Sequence, residues 1–125
     1  MKNLLDTHVV LWFLNGEKLS LKVIETIENG ENFISIVSLW EVAIKMNIGK
    51  YSFDGGFLEF RKLIEHNGFN VLPIKQEYME RLFNMPFEHR DPFDRMIIAT
   101  AQEEKLNIIT ADENIHKYDV TCIWN

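Results

Sequence analysis

The sequence predicts an α/β domain built around a parallel sheet, and three observations carry that prediction. Short apolar or β-branched runs alternate with longer segments of helical spacing along the chain. No internal repeat, low-complexity tract or linker interrupts the alternation, which is the pattern of strand-crossover-strand units. With 125 residues, 46% of them hydrophobic, the chain can build a sizeable core without disulfides or metal staples. One globular unit spanning residues 1–125 is expected.

The opening "NLLD" is a short apolar run ending in an acid, and "HVVLWFLNG" continues with helical spacing until Asn15 and Gly16 stop it. In "LSLKVIETIENG", Leu21, Ile24 and Ile27 lie along one helical face, with Ser20 as N-cap and Gly30 as the stop. "NFISIV" is β-branched and aromatic and reads as a buried strand; "SLWEVAIKMNIG" follows as a helix ending at Gly49. The loop "YSFDGG" leads into "FLEFRKLIEHNG", a helix with Phe57, Phe60, Leu63 and Ile64 as its apolar stripe. "FNVLPI" is a third strand, which Pro73 ends or places near an edge. "QEYMERLFNMP" reads as a helix, "FEHRD" as a loop, and "PFDRMIIATAQEEKL" as a long helix feeding the strand "NIIT". "YDVTCIW" is expected to be a last strand.

Composition narrows the function classes. A formal charge of −6 argues against a broad basic surface holding nucleic acid by counterion release, so any such binding must be local. Four acids gathered at one metal site would leave roughly −2 on the remainder, so the acidity can be partly a site property. Cys122 is the only cysteine, and the N-terminus lacks a long apolar run followed by a small-residue cleavage site, so a cytoplasmic location is expected. Apolar stretches such as "VVLWFL" fall far below the ~18 residues of a membrane span.

In a parallel α/β sheet, ligands bind outside the carboxyl ends of the strands, where the following helices begin. Four acids pass that geometric filter. Asp6 ends the first strand, Glu41 lies in the first turn after "NFISIV", Asp94 in the first turn of the long helix, and Asp112 two residues after "NIIT". Each also has a plain reading as helix punctuation: Asp6 as a cap, Ser38 and Glu41 as an S-x-x-E capping box, Asp112 as a turn cap, and Asp91 and Asp94 at the start of one helix. Taken together they carry more weight, because four separated segments converge on one edge. Within "HRDPFDRMIIATA", Asp91 is the N-cap and Pro92 the first helical residue. Asp94 shares its face with Ile97, Ile98 and Ala101, so its carboxylate leaves the helix toward the core and is assigned to the site.

Clustered carboxylates repel one another, and without compensation one or more takes up a proton. A divalent cation resolves the repulsion. The all-oxygen set favours Mg²⁺ or Mn²⁺ over zinc, and such ions suit phosphodiester hydrolysis.

These residues resemble the PIN-domain nucleases, most closely the VapC-type toxins of bacterial toxin–antitoxin pairs. The likeness rests on "LLDTHVVLW" with Asp6 and Thr7, "SIVSLWEVAIKMNIGK" with Glu41, "HRDPFDRMIIATA" with Asp94, and "IITADENIHKY" with Asp112. It implies a three-layer α/β/α fold with a five-stranded parallel sheet and Mg²⁺-dependent endonuclease action on RNA. It also implies a homodimer silenced by a small cognate antitoxin. Within that frame Asp6 and Asp94 are metal ligands, Glu41 and Asp112 ligate or orient and deprotonate the attacking water, and Thr7 supports Asp6 or a water. His8, Arg90 and Arg95 are candidate phosphate contacts, against which stand a partly buried His8, an Arg95–Asp91 pair and a Lys45–Glu41 pair. Trp12, Trp40 and Trp124 are expected in the core or, for Trp40, at an interface.

Two rival readings remain at this stage. A haloacid-dehalogenase-like phosphatase calls for D-x-D-x-T after the first strand, where this chain reads "DTHVV". A non-catalytic interaction module on the same fold has no need to hold four repelling acids together.

Overall fold

A computed structural model describes the whole chain, Met1–Asn125. Its elements run β1 (Lys2–Leu5), α1 (Thr7–Asn15), α2 (Leu21–Glu28), β2 (Glu31–Ser35), α3 (Ile36–Asn47), α4 (Gly56–His66), β3 (Asn70–Leu72), α5 (Gln76–Asn84), α6 (Pro92–Glu104), β4 (Asn107–Ile109) and β5 (Cys122–Ile123). The strands form one sheet in the order β3-β2-β1-β4-β5, with every neighbouring pair parallel. Helices cover both faces, so the architecture is the three-layer α/β/α arrangement with a five-stranded parallel sheet. The order reverses direction at β1, which lies between β2 and β4 and opens a crevice at its carboxyl end.

Strand alternation divides the apolar residues between the two faces. Leu5, Ile34 and Ile109 pack with Val9, Val10, Val23, Ile27, Val42, Phe60 and Ile64 from α1 to α4. Leu4 and Ile108 point the opposite way, onto Ile97, Ile98 and Ala101 of α6 and onto Tyr118. Leu4, Leu5, Ile108 and Ile109 are wholly buried, and each contributes about 2 kcal/mol of hydrophobic stabilisation. Tyr78 joins α5 to α6, its hydroxyl donating to Glu104 Oε2 at 2.5 Å.

Local signals account for most boundaries. Gly16 takes a left-handed φ of 69° after α1. Asp91 caps α6 by accepting from the N–H groups of Phe93 at 2.8 Å and Asp94 at 3.1 Å, and Pro92 follows at the first helical position. β3 is an edge strand that stops one residue before Pro73.

Three expectations are corrected. α3 begins at Ile36, two residues before the expected start, because Ser35 caps it by accepting from the Val37 N–H at 3.1 Å. Ser38 is therefore inside the helix, the S-x-x-E capping box is not formed, and Glu41 falls in the second turn. Gly30 is not the helix terminus, which falls at Asn29. Its value lies in close approach, since a Cβ there would meet Asn3 Nδ2 at 2.5 Å and the Thr26 carbonyl oxygen at 2.9 Å. The last strand pairs over Cys122–Ile123 only, because bends at residues 118–120, following the 3₁₀ turn Ile115–Lys117, occupy the start of that segment.

Candidate active site

The four acids meet at the carboxyl edge of the sheet, in a cleft of about 410 Å³ that Lys45 and His89 also line. Asp6 directly follows β1 and occupies the N-cap position of α1, yet its side chain makes no capping bond. Oδ2 accepts instead from the Thr110 hydroxyl at 2.7 Å, and the residue is 5% exposed. Thr110, just beyond β4, also accepts the Asp112 N–H at 3.0 Å, so one hydroxyl ties the first acid to the loop bearing the last. The Thr7 hydroxyl donates to Ser38 Oγ at 2.8 Å, locking α1 to α3 beside Asp6.

Glu41 is 3% exposed, with Oε2 accepting from Lys45 Nζ at 2.6 Å. Its other oxygen, Oε1, is buried with no hydrogen-bond partner. Lys45 also donates to the Tyr51 hydroxyl at 3.3 Å. Burial works against the Lys45 charge, but its hydrogen bonds to Glu41 and Tyr51 outweigh that cost and raise its pKa above the ordinary lysine value.

Asp94 projects from the first turn of α6 beneath the Asp91 cap. Its Oδ2 lies 2.9 Å from His89 Nε2, which also lies 3.1 Å from Asp112 Oδ2. The Asp112 carboxylate accepts through Oδ1 from the Asn114 N–H at 2.9 Å, so it caps its turn and faces the cleft at once. Burial, followed by the charges of Asp6, Asp91, Glu41 and Asp112, pushes the Asp94 pKa up to about 8. Burial raises that of Asp6 as well, opposed by the Thr110 hydrogen bond.

Thr110, Lys45 and His89 each hold one named oxygen of Asp6, Glu41 and Asp94 respectively, and the second oxygen of Glu41 is left without a partner. A buried carboxylate oxygen without a donor is costly in a closed interior and is expected where a cation or ordered water completes the group. The oxygen donors, the unpartnered Glu41 Oε1 and the upward pKa shifts fit a hard divalent cation.

The flanking residues divide. His8 is exposed rather than partly buried, lines the cleft and pairs with the Tyr51 hydroxyl at 3.1 Å through Nε2. Arg90 is exposed on the loop before α6. Arg95 does not pair with Asp91; its guanidinium stacks 4.9 Å from the Phe87 ring centroid and its Nε is buried without a partner. The expected Lys45–Glu41 pair is present. Trp12 and Trp124 are half-buried against each other, with ring centroids 6.1 Å apart, whereas Trp40 is 60% exposed and meets only the edge of Phe93 at 5.3 Å.

Sequence reasoning did not single out His89 or Thr110. Both contact the acids across long sequence separations, 23 residues for His89 with Asp112 and 104 for Thr110 with Asp6. The available signal was adjacency: His89 immediately precedes the capping segment of Asp94, and Thr110 ends the strand that leads to Asp112.

Known proteins share this fold. Solved structures with a similar fold include VapBC2 of Rickettsia felis bound to a DNA fragment from its promoter, at 13% identity and a TM-score of 0.76, covering 100% of both chains. A toxin–antitoxin complex from Klebsiella pneumoniae shares 23% identity with a TM-score of 0.69, covering 97% of this chain and 95% of that one. VapBC-5 of Mycobacterium tuberculosis, of the VapBC family of toxin–antitoxin systems, shares 18% identity with a TM-score of 0.71, covering 99% and 98%. No curated protein matches by sequence. The sequence model of the PIN domain matches residues 4–120. With that match spanning almost the entire chain, and the parallel sheet and acidic edge in place, the chain belongs to the PIN domain family.

Proposed function

We propose that this protein is a Mg²⁺- or Mn²⁺-dependent endoribonuclease that serves as the VapC-type toxin of a toxin–antitoxin pair. The observation that carries the reading is the convergence of Asp6, Glu41, Asp94 and Asp112 on one cleft, with Glu41 Oε1 buried and unpartnered there. Asp6, Glu41 and Asp94 would hold the cation, each through the oxygen its protein donor leaves over. A bound divalent ion supplies Lewis acidity to a phosphoryl oxygen and makes water a better nucleophile.

The chain's own residues do the rest. Asp112, turned partly to solvent at 31% side-chain exposure, orients the attacking water and accepts its proton. The water oxygen bonds to phosphorus as the bond to the leaving ribose oxygen breaks, in line with the attack. His8, Arg90 and Arg95 are the candidates for contact with phosphate oxygens, His8 from the cleft wall and Arg90 from the exposed loop before α6. The net charge of −6 confines that contact to these few groups.

The toxin role is supported by the similar solved structures, which include a toxin–antitoxin complex and a member of the VapBC family of toxin–antitoxin systems. By extension a small cognate antitoxin silences this chain, and the toxin acts as a homodimer in the cytoplasm. No helix is long and apolar enough to cross a membrane.

The test is cleavage of single-stranded and structured RNA by the purified protein, with Mg²⁺, Mn²⁺ or chelator, alongside Asp94→Asn. Metal-dependent cleavage that the variant loses supports the reading. Equal activity in the variant refutes the assignment of Asp94, and RNA left intact by both proteins in the presence of metal counts for an interaction module on the same fold.

A further inference from the structure

The geometry points to His89 as a positioning residue whose single Nε2–H, shared between Asp94 and Asp112, sets the direction in which those two carboxylates present themselves to a cation. This rests on the metal-site reading above and adds to it a residue outside the acidic set.

Both ring nitrogens are engaged. Nδ1 accepts the Asp91 backbone N–H at 3.3 Å, which makes Nδ1 the bare nitrogen of the imidazole and places the hydrogen on Nε2. Nε2 then lies 2.9 Å from Asp94 Oδ2 and 3.1 Å from Asp112 Oδ2, within donating distance of both. A nitrogen carrying a hydrogen cannot also offer its lone pair to a metal. The contact with the N-cap residue therefore selects the donor tautomer and turns the ring from a ligand into a clamp.

The ring is held as well as engaged. Its side chain is 13% exposed. The backbone N–H groups of Glu88 and His89 both donate to the Tyr118 hydroxyl, at 3.0 and 2.9 Å, and that hydroxyl donates to the Pro86 carbonyl at 2.9 Å. Tyr118 is itself buried in the core beneath α6. The loop ahead of α6 is thus anchored to the core on one side and to the helix cap on the other, and His89 transmits that rigidity to two acids from different elements. Asp94 lines the cleft with one oxygen fixed by the ring, the arrangement by which hydrogen-bonded supports raise metal affinity without touching the metal.

The contrary possibility is direct ligation, since ligand atoms of His89, Asp94 and Asp112 all lie within 4.8 Å of one another. It requires the ring to move its hydrogen to Nδ1 and give up the Asp91 contact.

Mn²⁺ titration calorimetry on the purified full-length protein, His89→Gln and His89→Ala decides between them, with electron–nuclear coupling measured on Mn²⁺-loaded protein carrying ¹⁵N-histidine. Glutamine brings an amide N–H close to the position of Nε2 and keeps the donor. The expected result is about a 10–100-fold loss of Mn²⁺ affinity in His89→Ala, recovery of most of it in His89→Gln, and no directly coordinated histidine nitrogen. Thermal melts of the metal-free variants separate a lost fold from a lost clamp. Unchanged affinity in His89→Ala overturns the inference, as does a coordinated ¹⁵N signal or a glutamine variant as weak as alanine in a folded protein. Absence of Mn²⁺ binding by the unaltered protein brings down the metal-site reading itself, and the clamp with it.

Discussion

Thr110 donates its hydroxyl hydrogen to Asp6 Oδ2 at 2.7 Å, joining two buried residues at the ends of adjacent parallel strands and 104 positions apart in sequence. Replacing it with the near-isosteric valine removes that donor and also the acceptor of the Asp112 N–H. Thr110→Val is expected to lose about 1–3 kcal/mol, the cost of leaving a buried acceptor unsatisfied. Urea unfolding of the metal-free protein measures it, and an unchanged midpoint would contradict the buried contact.

Lys45 is the only cation bonded to Glu41, whose carboxylate is almost wholly buried. Lys45→Met should destabilise the metal-free protein by about 2–3 kcal/mol, because it strands a buried charge. Lys45→Met combined with Glu41→Gln should regain part of that loss. A double-mutant cycle by chemical denaturation tests the pairing, and strict additivity of the two changes would refute it.

The raised Asp94 pKa has a pH signature. With a folded value of about 8 against an ordinary value of 3.8, the folded state binds the proton more tightly than the unfolded state. This group's contribution to metal-free stability is fully present below about pH 4 and is lost progressively as pH climbs toward 8, a swing of a few kcal/mol. Saturating Mn²⁺, which needs the ionised form, should raise the melting temperature more at pH 8 than at pH 6, with protons released on binding at neutral pH. Melting curves at both pH values and calorimetry in buffers of different ionisation enthalpy provide the check.

Far from the cleft, the Tyr78 hydroxyl and then Lys75 hold the Glu104 carboxyl below its usual range. A lowered folded pKa gives stability that is present above the unfolded value near 4.5 and is lost as pH falls through the folded one. Tyr78→Phe is expected to cost about 1–2 kcal/mol at neutral pH and less once pH has fallen below the lowered folded value, where Glu104 is protonated in both proteins. Equal losses at both pH values would show that packing, not the charged hydrogen bond, sets the effect.

What the sequence made legible was local chemistry with a short range. Asp91 and Pro92 start α6 as capping rules require, Lys45 finds Glu41 one turn away, and Pro73 closes an edge strand. The convergence of four acids was also readable, because parallel sheets place strand ends and helix starts on one edge. Competing tendencies hid the rest. Ile36 and Val37 have the β-branched character of strand residues, which hides the Ser35 cap and moves the apparent helix start to Ser38, a residue that lies inside α3. Arg95 sits four residues from Asp91, yet that carboxylate is committed to two N–H groups and the guanidinium turns to Phe87. Periodicity says nothing about a loop, and that is where His89 is found.

The central place of β1 also bears on how the cleft comes into being. Asp6 is made 104 residues before its Thr110 partner and needs β4 beside it, and Asp112 follows β4. A chain emerging from the ribosome therefore carries scattered acids with no common site until β4 and the Asp112 loop have emerged and docked. Pairings of such long sequence separation form late and slowly. For a protein whose cleft is proposed to cut RNA, the placing of β1 beside β4 delays assembly of the cleft until β4 has emerged.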